Sequence, residues 1–280
     1  LFKKYDILYT REQFTGLFFK NFVLEIHSLP KKIKSIHKKI WGKARALIVL
    51  TSFIKNKLVE AGVPENKILI APDGVDLEKF DIDISKEEAR KKFSLPSDKI
   101  LIGYVGMLKT MEMSKGIDLA IEALKNLPGN IILVLVGGNK MDIDEYQNFA
   151  SSLDLRDRVI FTGRVRHELI LYYLKAFDIL IAPFPDIEHY RFYMSPLKLF
   201  EYMASGVPIV TSDLPSIREI LNENNAVLVE PNNPEILSEG IKKVLENYDF
   251  SAKISKQAFQ DVQNYTWKKR AERILEFVYP

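Results

Sequence analysis

Between residues 100 and 247 the chain repeats one pattern six times: a short β-branched run, a loop, then a stretch of helical periodicity. Strands are expected at 100–105 (ILIGYV), 131–136 (IILVLV), 158–162 (RVIFT), 178–182 (DILIA), 207–211 (VPIVT) and 226–229 (AVLV). Helices are expected over 116–127, 143–152, 167–176, 196–205, 215–222 and 233–247. Parallel neighbours need a crossover, and the crossover is usually a helix, so this series predicts an α/β lobe built on a parallel, doubly wound sheet.

Upstream the same alternation is shorter, with strand candidates at 5–9, 21–26, 46–50 and 67–71, against about six strands in a complete lobe of this kind. The expected fold class is therefore α/β with two Rossmann-like doubly wound lobes, the C-terminal one complete and the N-terminal one truncated or reduced. Residues 1–75 form the partial N-terminal lobe in this reading, and 76–265 the C-terminal lobe. The last helical stretch, 266–278 (TWKKRAERILEFV), has no strand to return to, so 266–280 are expected to pack back on the N-terminal lobe. Residues 72–99 are rich in charge, turn formers and proline and are read as the connection between lobes.

The absence of cysteine excludes disulfides, thiolate metal sites and cysteine nucleophiles. No run approaches the roughly 20 apolar residues of a membrane span, and LFKKYDILYT has no signal-peptide pattern. A cytoplasmic location is expected. The first residue is leucine, which leaves residues upstream of Leu1 open. The formal net charge is only +3, yet residues 31–45 (KKIKSIHKKIWGKAR) hold six Lys and one Arg with no acid. Ile33, Ile36, Ile40 and Ala44 recur there at helical spacing, giving a basic amphipathic helix. It could lie on an anionic membrane surface as a peripheral contact, or be a solvated helix whose apolar side packs on its domain. No aromatic stacking pattern or further basic stripe accompanies it, so nucleic acid is not an expected partner.

In open α/β sheets ligands bind beyond the carboxyl ends of the strands, and the loops there are unusual. After the first strand comes GMLKTMEMSKG (106–116): Gly106 permits close backbone approach, and Lys109 and Lys115 could neutralise a diphosphate or simply be surface lysines. After the second comes GGNK, where Gly137 and Gly138 make either a base pocket or a tight turn. After the third comes GRVRHE, with Arg164 placed to meet base or phosphate and Arg166 facing water. Then comes SPLKLFEYMASGVP (195–208). Ser195 suits an N-cap and Pro196 the first helical position, so the amides near Pro196 and Leu197 should face the strand-end crevice, where they bind anions. Lys198 in the first turn opposes the helix dipole unless an anion is near. Glu201, on Leu197's helix face, can accept hydrogen bonds from both hydroxyls of a ribose, or pair with Lys198. The pairs Asp81/Asp83 and Asp142/Asp144 are read as structural, and the four histidines, His27, His37, His167 and His189, lack zinc-site spacing. No metal and no cofactor are expected.

Six segments in order, LEIHSLP (24–30), IVLTS (48–52), APDGVDLEKF (71–80), GYVGMLKTMEMSKGID (103–118), VIFTGRV (159–165) and SPLKLFEYMASGVPIVTSD (195–213), resemble the retaining GT-B glycosyltransferases of group 1, family 4-like. The resemblance implies that Lys115 and a basic residue after the first glycine loop bind the donor diphosphate. The usual arginine there is Met107, so Lys109 is assigned in its place. It further implies that Glu201 holds the ribose, that amides near Pro196 and Leu197 meet the diphosphate, and that His27 approaches the sugar. Tyr193 stands where the family's first paired glutamate would contact the sugar. The implied activity is transfer of a hexose from a nucleotide-sugar donor to a glycan or lipid-linked acceptor with retention, the lobes closing about residues 72–80. The departing diphosphate would help take the acceptor proton while Lys109, Lys115 and the helix amides stabilise its charge. A non-catalytic nucleotide-sugar-binding subunit and a nucleotide-sugar epimerase remain the alternatives.

Overall fold

The structure, a computed structural model, describes residues 6–110 and 112–279; the strand candidate 5–9 therefore begins outside the described residues. Two compact units are present. The first comprises the chain up to Gly74 together with Glu188–Ser195 and the stretch from Tyr265 onward, and the second comprises Val75–Ile187 and Pro196–Asn264.

In the first unit β1 (Tyr9–Thr10), β2 (Val23–Ile26), β3 (Ala46–Val49) and β4 (Ile68–Ile70) form a parallel sheet in sequential order. The crossovers carry α1 (Thr15–Phe18), α2 (Ser35–Lys43) and α3 (Ser52–Glu60). β2 and β3 are buried on both faces, as expected of parallel strands covered by helices. On one face Leu24, Ile26, Leu47 and Val49 meet Ile40, Trp41, Ile54 and Leu58. On the other, Val23 and Ile48 meet Ile274 and Val278 of the C-terminal helix Trp267–Val278. The basic helix is shorter than the run 31–45, because Lys34 before it and Ala44 after it are both extended. It buries Ile40 and Trp41, while Ile36 is exposed.

The second unit begins at Val75. Residues 72–99 are not merely a connector, for α4 (Lys86–Lys92) lies inside them and packs on a later helix of the same unit. A capping box, Ser85 accepting from the Glu88 amide and Glu88 accepting from the Ser85 amide, starts α4. Its buried Arg90 donates to Ala176 O at 2.9 Å and pairs with Asp178 at 2.6 Å. There follow β5 (Ile100–Val105), a small hairpin of β6 (Lys109–Thr110) and β7 (Met113–Ser114), α5 (Ile117–Ala123), β8 (Ile131–Val136), α6 (Lys140–Ser152), β9 (Val159–Gly163) and α7 (His167–Ala176). The series continues with β10 (Ile179–Ala182), α8 (Leu197–Ser205), β11 (Ile209–Ser212), α9 (Pro215–Arg218), β12 (Val227–Val229) and α10 (Pro234–Glu246). A further helix, α11 (Tyr248–Asp261), follows without a strand, and the C-terminal helix is α12.

The six strands of the larger sheet are all parallel, in the order β12-β11-β10-β5-β8-β9. Counted along the chain this is the 3-2-1-4-5-6 arrangement of a doubly wound sheet, and its direction reverses between β5 and β10. The loops that leave those two strands open a crevice, which is where such sheets bind ligands.

Candidate functional site

At the carboxyl end of β5 the chain turns at Gly106 with φ +134°, and its amide donates to Val136 O at 2.8 Å. β8 ends in Gly137 and Gly138, both also at positive φ. A Cβ on Gly137 would stand 2.3 Å from Gly106 O, so the two loops close backbone on backbone in a way that only glycine permits. Gly106, Gly137, Gly138, Arg164, Val165 and Ile170 line a largely apolar cavity of about 690 Å³. A second cavity of about 630 Å³ is lined by Lys79, Phe80, Arg166, His167, Tyr172 and Glu201, and shares Ile170 with the first. Arg164 is exposed at the rim. Arg166 pairs with Glu168 at 3.2 Å in solvent.

The start of α8 differs from expectation by one residue and one partner. Pro196, in extended conformation, is the N-cap, and the helix starts at Leu197 without a side-chain cap. Ser195 does not cap it, because its Oγ accepts the Asp73 amide at 2.8 Å and so holds a loop of the first unit. The uncapped start leaves the positive end of the helix dipole open at the crevice.

Lys198 is buried, and its Nζ has no hydrogen-bond partner. The ammonium stands 3.6 Å from the centroid of the Tyr104 ring and 5.4 Å from that of Phe184, a cation–π contact in an apolar setting. Burial pushes it well below the usual lysine range, Lys115 nearby pushes the same way, and Glu201 partly opposes them. Lys115 is itself lowered by burial. The expected alternative, a surface pair of Lys198 with Glu201, is therefore corrected: the amine points inward and makes no such bond. Glu201 is raised by burial, with His167 and Lys198 holding it down. Lys109, assigned to the diphosphate, has its Nζ 2.6 Å from both carboxylate oxygens of Glu145. This bond raises its pKa, and an incoming anion would have to compete with Glu145.

In the first unit His27 follows β2, with Nε2 at 2.6 Å from Glu25 Oε1. Glu25, on the same strand face as Val23, is buried and also meets the Tyr9 hydroxyl, Arg11 at 3.1 Å and Arg270 of α12 at 3.1 Å. Burial alone would raise its carboxyl, but His27, Tyr9, Arg270 and Arg11 hold it down to about 2. Tyr193 lies in a π-turn, His189–Tyr193, and packs edge-on against Phe53 at 5.3 Å. Asp142 accepts from Asn139 at the first turn of α6. Among the described residues no group of three or more His, Asp or Glu side chains could hold a metal.

Sequence reasoning missed Tyr104, Phe184, Glu25, Asp73 and Arg270. Glu25 carried a signal, an acid inside the apolar strand VLEI, whereas Tyr104 reads as an ordinary core aromatic of ILIGYV.

Such a sheet, with its glycine-lined crevice, is a lobe of the GT-B fold. The chain matches Anabaena HepE, solved with UDP and glucose, at TM-score 0.80 and 19% identity over 98% of this chain and 78% of that one. A Rickettsia africae glycosyltransferase matches at TM-score 0.81 and 20% identity over 98% and 76%. An uncharacterized glycosyltransferase of Methanocaldococcus jannaschii is 29% identical over 219 residues, 76% of this chain and 54% of that protein. A D-inositol 3-phosphate glycosyltransferase of Xylanimonas cellulosilytica is 25% identical over 77% and 52%. The chain spans about half the length of these curated relatives. Residues 85–261, which lie within the second unit apart from the Glu188–Ser195 insertion, match the model of the Glycosyl transferases group 1 family. The chain belongs to that family.

Proposed function

We propose that the second unit holds the nucleotide diphosphate of a sugar donor and that the protein transfers a hexose from it to a glycan or lipid-linked acceptor with retention of configuration. The observation that carries this is the buried, unpartnered Lys198 ammonium beside Gly106 and the uncapped start of α8. Donors so placed suit the diphosphate, which α8 amides, Lys198 and Lys115 would bind. Glu201 would grip the ribose from the second cavity, and Gly137, Gly138 and Arg164 would border the base. In the reaction the bond from the anomeric carbon to the phosphate oxygen breaks, and a bond to the acceptor oxygen forms on the same face. The acceptor proton passes to the departing diphosphate. His27 and Lys109 keep the roles first assigned to them, with Lys109 released from Glu145. No metal enters this scheme, so EDTA-treated protein should retain its activity.

Two structures of similar fold, Anabaena HepE solved with UDP-glucose and a Staphylococcus aureus TarM mutant solved with UDP, support the donor class. One observation favours the non-catalytic alternative: the position where the family has a sugar-contacting glutamate is Tyr193, whose ring packs on Phe53. The lysines of 31–43 would add weak attraction to an anionic membrane face. No helix among the described residues is long and apolar enough to cross a membrane.

Thermal unfolding with UDP, GDP, ADP and their sugars tests the reading, since a ligand that binds only the folded form raises its stability. One nucleotide should raise the midpoint by several degrees, and Glu201→Ala should abolish most of that rise. An unchanged rise in Glu201→Ala refutes the ribose assignment. Proton NMR of the product's anomeric centre then decides retention, and absence of any transfer with a bound donor would favour the binding subunit.

A further inference from the structure

On the diphosphate reading above, the protein must keep an ammonium ready for an arriving anion. A buried cation normally acquires a carboxylate partner, which a ligand must then displace. Lys198 has none: its Nζ makes no hydrogen bond, and Glu201 acts on it only at a distance. What it has is the ring of Tyr104 at 3.6 Å. Tyr104 is wholly buried in β5, and its hydroxyl donates to Met107 O at 2.7 Å across the turn containing Gly106. A Cβ on Gly106 would lie 3.2 Å from the Lys198 amine, so the ammonium sits against the very turn that lines the crevice. Lys109, by contrast, is neutralised by Glu145.

We infer that Tyr104 is a positioning residue: its ring holds the Lys198 ammonium against Gly106 without a counter-ion, so that the amine meets an arriving phosphoryl group with no salt bridge to break. The π face attracts the cation enough to localise it but gives it up to a doubly charged oxyanion. Lys198 thereby adds, beside the turn that carries the exposed Met107, a positive charge that needs no release from a carboxylate, as Lys109 does from Glu145.

The test uses the full chain and three probes, UDP, inorganic pyrophosphate and uridine, titrated by calorimetry. Tyr104→Leu should weaken UDP and pyrophosphate by about tenfold while uridine is unaffected. Tyr104→Phe, which keeps the ring and loses the hydroxyl's bond to Met107, should stay within about threefold of the parent. If Tyr104→Phe is as weak as Tyr104→Leu, the turn clamp and not the ring carries the effect, and the inference fails. If Tyr104→Leu binds UDP like the parent while Lys198→Met does not, the inference fails and the diphosphate reading stands. If Lys198→Met binds UDP unchanged, the diphosphate reading itself is lost. A measurement independent of folding variants is NMR of 13C-labelled lysine, with Lys198→Arg as the assignment control. The Lys198 ε-methylene should be ring-current shifted upfield in the unliganded protein and relax toward the common lysine position with UDP. An unshifted resonance in the unliganded protein overturns the proposal.

Discussion

Lys198 sits where a charged amine is costly, so its removal should separate stability from binding. Its folded pKa lies below that of the unfolded chain because of burial. Between those two values the unfolded chain binds the extra proton, so the stability of the unliganded protein should rise with pH through that window. Lys198→Met keeps an unbranched apolar side chain one atom shorter and removes the charge. It should raise the midpoint of thermal unfolding at neutral pH by an amount that shrinks at alkaline pH, while UDP no longer stabilises the protein. Equal or lower stability of the variant would show that the ring contact already compensates burial. Of the candidate residues, Gly106, Gly137, Gly138, Arg164, Lys198 and Glu201 were legible because each stands at or just beyond a strand end or in the first turns of a helix, where sequence order alone locates the crevice. The engagement of Lys109 with Glu145 was not legible, since it joins the β6–β7 hairpin to the middle of α6. Nor was the partner of Ser195, which is 122 positions away in sequence.

Secondary structure was read best where hydrophobic runs are continuous. β5 and β8 coincide with the expected 100–105 and 131–136, since strands buried on both faces leave an unbroken apolar signature. α11 was missed because its buried side is built partly from small and polar residues, Ser251, Ser255 and Ala258 around the single large Ile254, which weakens the 3.6-residue pattern. The segment expected as a helix over 215–222 is helical only over Pro215–Arg218. α11 nevertheless packs on α8, the helix that carries Lys198 and Glu201. Ile254→Ala, at a fully buried position, should cost about 3 kcal/mol in urea unfolding of the second unit followed by far-UV circular dichroism. A loss below about 1 kcal/mol would mean that α11 is a surface addition and gives α8 no support.

Each unit has its own core, and acid acts on that of the first through Glu25. Both tryptophans, Trp41 and Trp267, lie in the first unit, so their fluorescence reports on that unit alone. There Glu25 joins β2 to β1 through Tyr9 and to α12 through Arg270. Its carboxyl is held down to about 2 in the folded state against an ordinary value of 4.5. The unfolded chain therefore takes up that proton first as pH falls, and the stabilisation, present above the ordinary value, is lost between the two values. The shift corresponds to about 3 kcal/mol at neutral pH. Asp73, raised by burial, acts in the opposite sense and offsets part of the loss as it is protonated. The tryptophan emission should accordingly shift to the red between about pH 4.5 and pH 2. Glu25→Gln should be weaker at neutral pH by about 3 kcal/mol, because the half-buried Arg270 loses its counter-charge, and should show a much shallower acid transition. Superimposable acid profiles for parent and variant would mean that the ion cluster around Glu25 orders the carboxyl edge of the first sheet without stabilising it.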